Sequence, residues 1–237
     1  MMHNAILVLT LTAASTLLMS CGSAAARADS AAARQDWQAE FGIPQRALTH
    51  TGESAYFVLV PGYQIVLDGG GETVTITVLD ETKVINGITA RVVEERSEEG
   101  GELAELARNF LAIDSATGDV FYLGEDVTWY DDEGNVSHEG SWLAYENGYE
   151  PGLYPPGSPV VGMRYYQERA VGAAEDRAEV LSTSDRVTTP AGLFENCLRT
   201  RESSPIDPGV SGEKVYAPGV GLVQDGSLRL VRYGYAW

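Results

Sequence analysis

Thr73-Val74-Thr75-Ile76-Thr77-Val78 sets a hydroxyl against a branched aliphatic at every step. Successive side chains of a strand point to opposite faces, so one face of this stretch is apolar and the other polar. β-branched residues also suit a pleated backbone. The stretch reads as a half-buried strand. Turn signals bracket it and then recur: Gly69-Gly70-Gly71 before it and Asn86-Gly87 after it, then Gly100-Gly101, Thr117-Gly118, Glu133-Gly134-Asn135, Pro190-Ala191-Gly192 and Asp225-Gly226. The earlier ones fall about 13 to 17 residues apart, wider than the 8–12 typical of compact sandwiches. A strand of about ten residues spans roughly 33 Å. Long strands in hairpin order predict a mainly β fold: a strongly curved antiparallel sheet or a half-barrel or barrel, with few short helices.

Two segments depart from this rhythm. In 102–114, Leu103, Leu106, Ala107, Phe110 and Leu111 follow helical spacing, and period alone favours a helix. The Gly-Gly and Thr-Gly turns on either side favour a strand, which is the reading adopted. Residues 144–159 crowd Tyr145, Tyr149 and Tyr154 among four prolines and several glycines. A loop of that length is often functional, so the three tyrosines are candidate ligand contacts; the alternative is that they merely cover one end of the sheet.

Composition narrows the function classes. The 16 basic residues face 34 acidic ones, a formal net charge of −18. Nucleic-acid binding draws on Lys and Arg to release counterions, so it is excluded on charge. Contact with an anionic membrane through a basic patch is disfavoured for the same reason. Two cysteines are present, Cys21 and Cys197. Cys197 lies in an alternating stretch, Leu193 to Arg199, and reads as a structural thiol.

The chain opens on an apolar run, Ala5 to Met19, too short for a comfortable membrane span and ending in small residues. Its closing tetrad, Leu18-Met19-Ser20-Cys21, resembles the lipobox of bacterial lipoproteins. That resemblance implies a diacylglyceryl group on the Cys21 thiol, cleavage before Cys21, and attachment to a membrane of the bacterial envelope, outer membrane included. The expected organisation is a signal peptide over 1–20, a tether over 21–50 and one β-rich domain over 51–237.

Further stretches carry a second resemblance. Phe121-Tyr122-Leu123-Gly124-Glu125-Asp126-Val127 and Glu139-Gly140-Ser141-Trp142 form one part, with Pro151-Gly152, Gln167-Glu168 and Ala174-Glu175-Asp176. Pro190-Ala191-Gly192-Leu193-Phe194 and Tyr216-Ala217-Pro218-Gly219-Val220-Gly221-Leu222-Val223 form another. Together, over most of 88–223, they resemble a family of secreted or lipid-anchored bacterial envelope proteins with no assigned activity. The resemblance implies an envelope location and an open barrel, and it brings no catalytic residue. The chain departs from the pattern between Tyr145 and Tyr154, where the family is small and apolar.

Standard catalytic constellations are missing from the sequence. His50 and His138 have no metal-binding spacing, and there is no Gly-x-Ser-x-Gly elbow or phosphate loop. Carboxylates are the plentiful reactive group. Strict alternation over 121–129 puts Glu125 on one face with Phe121, Leu123, Val127 and Trp129. A carboxylate on an apolar face has its pKa raised, which is how a general acid is made. Two structural alternatives stand beside it: a bulge at Gly124 turns Glu125 outward, or Glu125 pairs with Arg164. Asp131, Asp132 and Glu133 crowd a hairpin and are candidate ligands for loosely bound calcium, without the spacing of an EF-hand. No other cofactor is expected.

The role expected from these features is a non-catalytic, lipid-anchored envelope module that binds an apolar or aromatic small ligand or an envelope protein. The alternatives are a carboxylate-dependent hydrolase using Glu125 with a second acid, and a cation-stabilised structural protein.

Overall fold

The structure is a computed structural model that describes residues 36–131 and 133–235. The expected signal peptide over 1–20, Cys21, the Ala-rich stretch after it and Asp132 lie outside the described residues.

Ten strands of five residues or more carry the fold: β1 Tyr63–Gly69, β2 Glu72–Ile85, β3 Ile88–Glu99, β4 Glu102–Asp114, β5 Val120–Tyr130, β6 Arg177–Thr189, β7 Gly192–Ser203, β8 Ser211–Ala217, β9 Gly221–Asp225 and β10 Leu228–Tyr235. Each of the runs β1–β5 and β6–β10 is an antiparallel meander, and pairing of β10 with β1 joins them into one sheet in the order β5-β4-β3-β2-β1-β10-β9-β8-β7-β6. The alternating stretch from Thr73 to Val78 lies in β2, with Val74 and Val78 buried. Tight turns at the expected glycines link the strands, and the only helical piece among the described residues is a 3₁₀ turn, Ile43–Gln45.

The antiparallel β architecture is as expected; of the alternatives, the closed barrel is not formed. No ladder joins β5 to β6, so the sheet is open and not a barrel, and its curvature is not strong. The physical reason is the long connection between those two strands. Trp142–Leu143 and Gly152–Leu153 pair onto β5, while Arg164–Tyr166 pairs onto β6. Irregular chain fills the gap, so the strands need not curl until they meet. At its narrowest the connection is tight: a Cβ on Gly152 would run into the Gln167 carbonyl.

β4 is a strand, as its flanking turns indicated, and its burial explains the helical look of its spacing. Ala107 and Leu111 face one side of the sheet, while Phe110 and Ala112 pack on the other against Val92 and Leu123. A strand buried on both faces loses the alternation that marks a strand.

Residues 36–50, placed with the tether by sequence, belong to the folded body. Gln38 bridges to Tyr165, and Phe41 is buried edge-to-face on Phe121. Arg46 reaches Asp114 Oδ2 at 3.1 Å and Asp119 Oδ2 at 3.0 Å. The guanidinium groups of Arg164 and Arg177 lie over the Trp37 ring, 4.0 Å and 4.4 Å from its centroid, a cation–π arrangement.

Candidate functional site

One face of the sheet, with residues from β5 at one end to β7 at the other, lines a cavity of about 860 Å³. That is within the range of small-molecule sites. The strand period writes its lining. The inward row of β2 is Glu72, Val74, Ile76, Val78; that of β3 is Val93, Glu95, Ser97, Glu99; that of β4 is Glu105, Ala107, Asn109, Leu111. Register pairs Glu72 with Glu99, Ile76 with Glu95 and Ser97 with Glu105. Each row runs from carboxylates near the Gly70-Gly71 and Gly100 turns to aliphatics farther along. At the aliphatic end the hairpin carrying Phe57 and Val58 contributes to the wall, and its Ala55 carbonyl accepts the Gly219 N–H at 2.9 Å.

Aromatic rings occupy the middle. Tyr154 packs with Tyr122 (centroids 6.1 Å), Tyr216 (6.2 Å) and Phe57 (6.2 Å). Its hydroxyl is 3.4 Å from that of Tyr216, and burial pushes its pKa up to about 12. Of the three tyrosines singled out by sequence, Tyr154 alone lines the cavity. Tyr145 is exposed at a left-handed turn, φ 69°, and Tyr149 packs on the core from outside the cavity.

Glu125 is in the wall, 7 % exposed. The expected bulge at Gly124 exists, with φ +133° and a register break opposite Asn109 and Leu111. It does not turn Glu125 outward. It brings Tyr122 and Glu125, three residues apart, to the same cavity, while Leu123 goes to the opposite face. The proposed companionship of Glu125 with Leu123 is thereby corrected: strict alternation ends where the bulge adds a residue. Arg164, the suggested partner, lies over Trp37.

The Tyr122 hydroxyl meets both Asn109 Oδ1 and, at 2.9 Å, Glu125 Oε2. A phenol has one proton to give, and a protonated Glu125 completes the arrangement. Burial pushes Glu125 up to about 8 against the pull of the Tyr122 hydrogen bond, with Glu95 and Asp176 adding to the rise. Burial also lifts Glu105 to about 8, helped by Glu95 and Glu125. Glu72 rises to about 7 through burial and Glu99, and Asp176 to about 6 through burial and Glu202. Glu168 is raised well above its ordinary value by burial and by Asp176. Lys214 holds its charge despite burial, because Asp225 and Glu202 face it. Near neutral pH the wall therefore mixes protonated and ionised carboxyls, a set able to accept donors or exchange protons.

Sequence reading singled out Glu125 and passed over Glu72, Glu105, Glu202 and Lys214; Glu168 and Asp176 entered through the family signature. The available signal was parity: in β2, β3 and β4 the acids stand on the same alternate positions as the aliphatics.

The acidic hairpin is separate. The Asp131 carboxylate caps its own turn, accepting Glu133 N at 3.0 Å, Asn135 N at 2.8 Å and Asn135 Nδ2 at 2.9 Å. Those bonds, the Asn135 side chain first, hold Asp131 below the usual carboxylate range. Glu133 is exposed, and no group of three or more His, Cys, Asp or Glu among the described residues is placed to hold a metal ion. Cys197 is fully buried in β7. No family model, curated protein or solved structure matches the chain.

Proposed function

We propose that this chain is an exported, lipid-anchored protein of the bacterial envelope whose sheet holds a small ligand with an apolar or aromatic body. The observation that carries the binding role is the cavity: about 860 Å³, walled by Val74, Val78, Val93, Leu111 and Leu222 with the rings of Tyr122 and Tyr154 beside them. Enclosed aliphatic and aromatic surface gains free energy when a matching body displaces water from it. The lipobox-like tetrad ending at Cys21 supports the anchor.

The test is titration of the protein with N-phenyl-1-naphthylamine, a neutral apolar fluorophore. Saturable, blue-shifted emission is expected, weakened at least fivefold by Tyr154→Ala and untouched by Val84→Ser, since Val84 is exposed outside the cavity. Equal binding by both variants would remove the cavity as the site. For the anchor, Cys21→Ser should move the protein from the membrane fraction to the soluble one; unchanged membrane association would end that part of the reading.

A second reading is hydrolysis by paired carboxyls. It is favoured by Glu125 and Asp176 sharing the cavity wall with pKa values drawn apart, about 8 and about 6, as an acid and a base require. Native mass spectrometry of protein from its own host separates the two. An intact retained compound supports binding, and cleaved fragments support hydrolysis.

A further inference from the structure

The apolar end of the cavity explains a ligand's body and leaves its other end unexplained. Among the described residues, ten carboxylates line the cavity against a single cation, Lys214. That cation is already engaged, by Glu202 Oε2 at 3.0 Å and Asp225 Oδ2 at 3.5 Å. Two buried acceptors in the same wall have no donor among the described residues: Glu72 Oε1, on a side chain 9 % exposed, and Gln167 Oε1, on one 4 % exposed. The other end of the Gln167 amide is used, Nε2 donating to Glu202 Oε1 at 3.0 Å.

A buried acceptor without a donor is costly, and a wall of acceptors is completed by a group that only donates. Ammonium and guanidinium are such groups, and their charge answers the excess of carboxylates. Anionic heads are repelled, and a neutral hydroxyl brings one donor where several are wanted. Glu72, Glu95 and Glu105 stand on three different strands, and no three acids among the described residues are placed to hold a metal ion, which suits an organic cation better.

We infer that the cavity recognises an amphiphilic organic cation, with its ammonium or guanidinium head among Glu72, Glu95 and Glu105 and its hydrocarbon body against Val74, Val93 and Leu111. This rests on reading the cavity as a ligand site. The rings of Tyr122 and Tyr154 share the same wall, and aromatic rings favour a cation over an anion.

The experiment is calorimetric titration of the full-length protein at pH 8 with octylammonium, octanol and octanoate, which share one tail length and differ in the head. Octylammonium should bind at least tenfold tighter than octanol, and octanoate should bind more weakly than either. Glu72→Gln and Glu105→Gln should each cut the advantage of the amine at least threefold while leaving octanol unchanged. Glu146→Gln, an exposed acid away from the cavity, should change neither. Octanol binding as tightly as octylammonium would overturn the cationic head and leave the apolar site standing. Binding of none of the three would remove both. Calcium chloride binding more tightly than octylammonium would also overturn the inference, by showing the acids to be a metal site.

Discussion

At Glu125 burial and charge conflict directly. It is 7 % exposed, and its carboxyl titrates at about 8 in the folded chain against an ordinary 4.5. The sign follows from linkage. Below pH 4.5 both states are protonated and the shift costs nothing; between 4.5 and 8 the unfolded state gains by ionising; above 8 the full penalty is present. Glutamine mimics the protonated side chain and still reaches Tyr122. Glu125→Gln should therefore leave the unfolding midpoint unchanged at pH 4.5 and raise it at pH 9 by several degrees, since about 1 kcal/mol moves a chain of this size by about 2–4 °C. Glu146→Gln, at an exposed position, serves as the control and should be flat at both. Equal effects of the two substitutions at pH 9 would mean that Glu125 meets bulk water.

At the scale of the element, the bulge in β5 positions the chemistry. A Cβ on Gly124 would collide with the Trp142 carbonyl and approach the Leu143 Cα at 2.9 Å, and φ is +133°. Only glycine meets both demands. Gly124→Ala should destabilise the protein by about 2–4 kcal/mol through steric conflict and backbone strain, measurable by urea unfolding. Gly212, with open space around its Cβ position and no positive φ, should accept alanine at almost no cost. If the two substitutions prove equally mild, the close contact of β5 with Trp142–Leu143 is not rigid, and the Tyr122–Glu125 pair is not held by it. The bulge also marks a limit of sequence reading. Gly124 offered it as one of two alternatives, yet the direction in which it sends Glu125 depends on where β4 breaks register. β4 directly precedes β5, but the register between the two strands is not written in the alternation of either one.

For the whole molecule, several cavity acids shift in one direction. Glu72, Glu105, Glu125 and Asp176 are all raised, to between about 6 and about 8. The folded chain thus keeps protons that the unfolded chain gives up, and stability falls as pH rises from about 4 to about 8. Asp114 and Asp185 act the other way: despite partial burial, hydrogen bonds to the Ala116 N–H and Arg46, and to Ser182 and Arg199, hold them low. Their contribution is lost below their ordinary value of 3.8. The net charge of −18 adds repulsion as pH climbs. Without ligand, the unfolding midpoint at constant ionic strength should be several degrees higher at pH 5 than at pH 8.5. A midpoint that rises over that interval would show that the cavity acids ionise freely in the folded state.

The sequence alone determined the mainly β class, the antiparallel hairpin order and the positions of the turns. These depend on neighbours in the chain: alternation, β-branching, and glycines that permit tight reversals. It also singled out Glu125, because an acid at an apolar parity is visible within one strand. Tertiary structure alone decided that the sheet stays open, because the connection from β5 to β6 fills the gap. It also decided that residues 36–50 join the body, and that acids from β2, β3, β4, β5, β7 and β9 face one space with Lys214 engaged at its side. Which charges share a cavity depends on register between strands far apart in sequence, and period-two alternation reports the face of each strand without reporting what lies opposite.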